Sequence, residues 1–311
     1  MLSTIIPLFA IIALGYVAIR SGYVEADRIP VIGGFVVKIA LPALIVNAVA
    51  TRPLAETIYW PLVLGYAAAS LLLMLTGTVA ARLIFGTSVG QSAVIGLGMS
   101  GSNSGFMGYP IALSAMGPIA GTVLANCVIV ENTVLIPVAL LLIGITESRA
   151  SGGTGAQALR KVALATARNP LILALVASLI VSGFALPLPA EALRAVEMLS
   201  NIAAPLALFV IGGTLASLPF KGVLGKIVFV TAGKLILHPV VVFAAMLAIG
   251  VRGDLLVTIT IFAAVPMMSI YPLFGQRVDL AMMSASALMM STILSFATLA
   301  VALWLLMPLV G

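Results

Sequence analysis

Along this chain, apolar runs alternate with short polar or charged interruptions. A helix needs about 20 apolar residues to cross roughly 30 Å of hydrocarbon. Runs near that length fall at 2–19, 31–50, 60–81, 91–113, 117–144, 170–187, 192–216, 223–249, 254–275 and 280–308. The pattern predicts an all-α integral membrane protein of ten transmembrane helices. Most runs are separated by charged or turn residues, such as RSGYVEADR, TRPLAE, RLIFGTS and LPFKG. The longest interruption, ESRASGGTGAQALRKVALATAR, reads as a loop over 145–169. Between the fourth and fifth runs only AMGP, at 115–118, breaks the pattern.

Composition agrees and excludes other classes. The 311 residues are 62% hydrophobic and 8% charged, whereas soluble domains carry about 25% charge. The formal charge of +6 does not point to nucleic acid, because the bases are scattered without interleaved aromatics. Cys127 is the one cysteine and allows no intrachain disulfide. The N-terminal stretch lacks a basic n-region and a small-residue cleavage site, so it reads as a first span.

Lysine and arginine orient the spans, because they accumulate in cytoplasmic loops. With the N-terminus outside, ten of the bases fall in cytoplasmic loops and three in outer ones, Arg52, Arg194 and Arg252. The expected protein has both termini outside a bacterial inner membrane, with 145–169 in the cytoplasm.

The halves on either side of 145–169 carry a weak repeat. Pro7-Leu8 and Pro170-Leu171 are 163 residues apart. Lys38-Ile-Ala-Leu-Pro42 and Asn201-Ile-Ala-Ala-Pro205 are again 163 apart. Tyr109-Pro110 and Tyr271-Pro272 are 162 apart. These fall in spans 1/6, 2/7 and 4/9. Residues 1–144 and 170–311 therefore read as two five-span repeats. An odd number of spans per half makes the repeats face opposite ways, an architecture of secondary transporters.

In such architectures the substrate site lies near the midplane, where interrupted helices meet. Span 4 contains GLGMSGSNSGFMGYP at 96–110, a poor helix. Span 9 contains AAVPMMSIYPLFGQR, with Pro266 and Pro272 six residues apart. Proline removes a backbone donor and clashes with the preceding turn. Backbone freed in this way is tolerated at membrane depth only where protein or water satisfies it. The two stretches are expected to be unwound and to cross. Pro7, Pro42, Pro137, Pro205 and Pro239, taken singly, read as simple kinks.

At these residues the chain resembles the auxin efflux carrier family of secondary transporters, which includes plant auxin exporters and bacterial malonate or malate permeases. Asn103-Ser-Gly-Phe-Met-Gly-Tyr-Pro110 resembles the plant pattern Asn-Thr-Leu-Val-Met-Gly-Ile-Pro. Ala-Ala-Val-Pro266 through Pro272, and Phe35 through Leu44, resemble the family's ninth and second spans. The resemblance implies a fold similar to the bile-acid and sodium/proton transporters. Spans 1, 2, 6 and 7 would form a scaffold, often a homodimer. Spans 3–5 and 8–10 would form a moving transport domain with the crossing at its centre. The implied substrate is a small organic anion bound as a carboxylate. In one departure, Ser102 stands where the plant pattern has proline, which leaves the break point in span 4 open.

A carboxylate needs donors, which half-helix N-termini and side chains supply. Asn103 is the first candidate, with the hydroxyls of Ser102, Ser104 and Ser269 beside it. Tyr109, Pro110, Pro266, Met267 and Tyr271 complete the crossing stretches, and Asn47 could face them from span 2. Ionisable residues inside spans are functional candidates by default. They are Lys38, Glu131, Lys234 and His238, the last two four apart on one helix face. A lone carboxyl among apolar neighbours makes Glu131 the candidate proton carrier. No cofactor or metal is expected.

The leading expectation is alternating-access transport of an organic anion, coupled to protons or membrane potential rather than sodium. A sodium- or proton-coupled antiporter, a sodium symporter of the same fold, or a ligand-binding membrane sensor are the alternatives. An enzyme is disfavoured, because His238 is the sole histidine and no Gly-x-Ser-x-Gly occurs near the span 4 stretch.

Overall fold

The computed structural model describes residues 2–50, 58–151, 155–184, 186–217 and 224–310. Among these the protein is helical, without a strand. In chain order the helices are α1 (Leu2–Arg20), α2 (Arg28–Val49), α3 (Trp60–Phe85), α4 (Val89–Ser100), α5 (Tyr109–Met116) and α6 (Ile119–Thr146). Next come α7 (Gly155–Ala167), α8 (Pro170–Gly183), α9 (Ala190–Ser217) and α10 (Leu224–Ala248). The chain closes with α11 (Gly253–Ala264), α12 (Tyr271–Gln276) and α13 (Ala281–Leu306).

Six helices are long and apolar enough to span a bilayer, namely α2, α3, α6, α9, α10 and the stretch from Ala281 to Leu309. The pair α7 and α8, bent by 56°, would make a seventh if counted as one span. The chain is thus a multi-pass membrane protein. The predicted runs 91–113 and 254–275 are each divided. At 1.5 Å per residue, the 12-residue helices α4 and α11 rise only about 18 Å, roughly half a bilayer core.

The loop expected at 145–169 is largely helix, since α7 occupies Gly155–Ala167. Its Ala, Leu, Gln, Arg and Lys residues are strong helix formers. The remaining boundaries follow local chemistry. Gly86 takes a left-handed conformation (φ 62°) and closes α3. Ser88 and Gln91 then form a reciprocal capping box that opens α4. Gly117 (φ 70°) ends α5, and Pro118 caps α6.

The single prolines resolve into two kinds. Pro7 and Pro205 lie inside regular helix. Pro42, Pro137 and Pro239 each follow a π-helical turn by two residues: Val36–Ala40, Glu131–Leu135 and Gly233–Leu237. Pro110 stands in the same relation to Ser104–Gly108. A widened turn moves the carbonyl that the proline ring would strike and absorbs the missing donor. The expected kinks at these sites are therefore π-turns, and three of them carry Lys38, Glu131 and Lys234.

Packing falls into two sets. Helix α1 lies against α9, and α9 and α8 lie against α2. Gly212 permits the first contact, because a Cβ there would strike the carbonyl of Ile12. Helices α3, α4, α6, α10, α11 and α13 pack on one another. The two sets meet through the segment holding Ser104–Gly108, through α5, and through α6, which also lies against α2 and α8.

Candidate functional site

The two interruptions lie side by side. Helix α4 makes its last regular bond from Gly101 N to Leu97 O, and α11 from Val265 N to Ile261 O. Gly101 and Val265 then turn extended, at φ −82°, ψ 121° and φ −68°, ψ 160°. Ser102 and Met267 form an isolated antiparallel bridge. Asn103 N donates to Pro266 O at 2.9 Å. Asn103 Nδ2 donates to Ser269 Oγ at 2.8 Å. The break in the first stretch is thus 101–103, fixed by Gly101 without a proline before Asn103. Pro110 and Pro272 do not break a helix here. Pro272 sits in the first turn of α12, where a missing donor costs nothing, and Pro110 follows the π-turn Ser104–Gly108, whose widened turn absorbs the missing donor.

The glycines before the break serve contact rather than unwinding. Gly96 and Gly98 belong to regular α4. A Cβ on Gly98 would stand 2.6 Å from the Tyr271 ring. Tyr271 is fully buried beneath it and its hydroxyl has no hydrogen-bond partner among the described residues.

A buried polar network wraps the crossing. Lys234, in the π-turn of α10, donates to Ser102 Oγ at 2.8 Å and to Ala263 O at 2.6 Å. Its Nζ lies 2.7 Å from His238 Nδ1. Ala263 is in the last turn of α11, where the helix presents its negative end to a cation. His238 Nε2 meets Ser70 Oγ at 2.8 Å. With the ammonium donating to Nδ1, the ring proton sits on Nε2 and is given to Ser70. On the opposite side, Tyr66 OH bridges Ser102 Oγ (3.2 Å) and Glu131 Oε1 (3.1 Å). Ser104 Oγ donates to the same Glu131 oxygen at 2.5 Å. Lys234 and His238 are fully buried and Glu131 is 5% exposed. No carboxylate lies within 4.0 Å of Lys234 among the described residues; the ion pairs there join Arg28 to Glu25 and Asp27. Neutral oxygens and the end of α11 therefore hold the buried ammonium.

A cavity of about 380 Å³ leads from this crossing to the α7–α8 junction. Its inner end is Ser102, Asn103, Ser104, Glu131 and Ser269. Its outer end is Ala165, Arg168, Asn169 and Pro170, of which Ala165 and Arg168 are exposed. Between them the walls are apolar: Val37, Leu41, Ile45, Leu124, Val128 and Ile136. Asn169 Nδ2 donates to Asn132 Oδ1 at 2.7 Å, and its own oxygen caps Leu171 N at 2.9 Å.

The structure places the other candidates away from this cavity. Lys38 is exposed on the outer surface of α2. Asn47 Nδ2 donates to Ser200 at 3.3 Å, tying α2 to α9. Tyr109 is half-buried and outside the lining, and Pro110 lines a separate apolar groove beside Leu8 and Pro205. Pro266 and Met267 act through their backbone. Sequence reasoning missed Tyr66 and Ser70, whose spacing of four marks one polar stripe on α3. It also missed Arg168, Asn169 and Asn132 as cavity-lining residues.

Residues 1–305 match a family described as membrane transport protein. The chain is also 30% identical, over 319 aligned positions, to a protein of Rhizobium meliloti (strain 1021) named "Putative malonate transporter". That alignment covers 97% of this chain and 94% of the relative.

Proposed function

From the fact that this chain belongs to the membrane transport protein family, the auxin efflux carrier family, we propose that it is a secondary transporter of a small organic anion. The substrate is a carboxylate such as malonate, and the crossing of the two helix breaks is its site. One observation carries the reading. A cavity walled by apolar side chains ends on the Asn103 amide and the Ser102 and Ser269 hydroxyls, with Ser104 beside them donating to Glu131. Carboxylates are held by such donors, and apolar walls keep competing water away.

The mechanism is alternating access. The scaffold is the set α1, α2, α8 and α9, and its homodimer would anchor the assembly. The moving unit is the set packed around α3, α4, α6, α10, α11 and α13. With α4–α5 and α11–α12 each counted as one broken span, and α1 and α8 as spans, the chain has ten. These are divided five and five around α7. By the positive-inside rule α7 is cytoplasmic and both termini lie outside, so the cavity faces the cytoplasm.

Glu131 is the proton carrier. It lines the cavity and also contacts the network through Tyr66 and Ser104, so its charge bears on both anion and crossing. Lys234 places its amine against Ser102 and Ala263. With Lys234 Nζ on both, these oxygens are not open to a sodium ion, which favours proton coupling over sodium coupling.

The test is uptake of labelled malonate by proteoliposomes of the purified protein, with and without an inward proton gradient, at zero and high sodium. Gradient-stimulated, sodium-independent uptake is expected. Sodium-driven proton flux without organic-acid uptake would overturn the proposal, as would malonate binding without any flux.

A further inference from the structure

We propose that Arg168 is the residue that selects a dicarboxylate over a monocarboxylate, by pairing with the second carboxylate at the outer end of the cavity. This rests on the carboxylate-transport reading above. Arg168 lines the same cavity as Asn103, with an apolar stretch between them. An α,ω-dicarboxylate has that pattern: a charge at each end and methylene between. The cavity therefore offers an amide and hydroxyls to one carboxylate, apolar walls to the chain, and a guanidinium to the other.

Two features make Arg168 more than a scattered loop charge. Its guanidinium has no acidic partner within 4.0 Å and no side-chain hydrogen bond among the described residues. An arginine fork that is already paired could not accept a second carboxylate bidentately; this one is open. Its backbone is also fixed. Arg168 N bonds Leu164 O at 3.1 Å, and the adjacent Asn169 is bonded to Asn132 on α6 and to Leu171 on α8. The chain bends 56° at this point, and Arg168 lies in the cavity lining. Glu131 is the other charged group on the lining, and its Oε1 is occupied by Tyr66 and Ser104. Arg168 is thus the one cationic side chain lining the cavity among the described residues.

Arg160 and Lys161 supply the control. They are exposed on α7, on the same side of the membrane by the positive-inside rule, and outside the cavity lining. General attraction of anions to a basic face would depend on all three. Pairing with a bound carboxylate depends on Arg168 alone.

The experiment compares uptake efficiency for labelled malonate and labelled monomethyl malonate in proteoliposomes. Wild type should prefer the dianion by about tenfold or more, the factor that one charge pair of about 1.4 kcal/mol gives. Arg168→Gln should bring the ratio near one while monoester uptake changes by less than about twofold, since its single carboxylate sits at the crossing. Monoester uptake thereby reports that the variant is folded. Arg168→Lys should retain part of the preference, and Arg160→Gln all of it. Arg168→Gln with an undiminished ratio overturns the assignment, as does a wild type that does not discriminate. Failure of wild type to carry either compound would instead refute the carboxylate reading on which it stands.

Discussion

Asn103→Ala separates what holds the crossing together from what holds the substrate. The crossing carries two kinds of link at this residue. The backbone bond from Asn103 N to Pro266 O and the Ser102–Met267 bridge do not involve the side chain. The side-chain link is a single bond from Nδ2 to Ser269 Oγ, 2.8 Å long. Removing it costs about 1 kcal/mol of stability, the net worth of a neutral hydrogen bond. Ser269 Oγ faces the cavity and can turn to water, so no further penalty arises. The functional loss is larger. A donor to a carboxylate is worth about 1.5–3 kcal/mol, so malonate uptake efficiency should fall roughly ten- to hundredfold. Ser269→Ala is the matched variant, because it removes the same bond from the other side. Its stability loss should agree with that of Asn103→Ala within about 0.5 kcal/mol, and its uptake should fall less. Thermal unfolding in detergent and initial uptake rates in proteoliposomes give the two readouts. Wild-type uptake in Asn103→Ala would refute the site. Uptake lost in strict proportion to unfolding would refute the separation.

Three other perturbations test the surroundings. Glu131→Gln keeps an oxygen for Tyr66 and Ser104 but removes the carboxyl proposed to carry the proton; gradient-driven accumulation should vanish while malonate counterflow persists, and accumulation at wild-type level would exclude Glu131 as the carrier. Lys234→Met leaves Ser102 Oγ and Ala263 O without their ammonium donor, with His238 Nδ1, 3.2 Å from that carbonyl, as partial replacement; a loss of about 2–3 kcal/mol is expected in thermal unfolding, and an unchanged Tm would contradict the network. Gly98→Ala forces the Tyr271 ring to move, since the new methyl stands 2.6 Å from it; a loss of about 1–3 kcal/mol follows from overpacking, measurable as a lowered Tm, whereas a neutral substitution would mean the ring has room.

Some of this architecture was legible because membrane burial leaves polar residues conspicuous. Glu131, Lys234 and His238 stand out in apolar runs, and the structure brings all three to the crossing. Lys38 stands out equally and lies on the outer surface. A one-dimensional run says that a residue is in a span, not which way it faces. Tyr66 and Ser70 escaped notice for the opposite reason, since tyrosine and serine are ordinary in membrane helices. The break stretches were visible in their glycines and prolines, yet their division of labour was not. Gly96 and Gly98 pack, Gly101 unwinds, Pro110 follows a π-turn and Pro272 begins the next helix. Which of these a glycine or proline does depends on neighbours more than a hundred residues away, such as Tyr271 against Gly98. Arg168 and Asn169 lie in the non-helical turn between α7 and α8, as their polar segment suggests; what the segment hid is the helix over Gly155–Ala167 just before them.

The π-turn in α10 fixes an angle as well as a carbonyl. Residues of an α-helix step round the axis by about 100° each, and a widened turn inserts one extra step. Pro239, on the groove-lined outer face of α10, requires that extra step. Closing the turn into ordinary α-helix would rotate Lys234 by about 100° relative to His238 and carry its ammonium off Ser102 and Ala263. A proline that touches none of the polar network thus sets the azimuth at which that network can form.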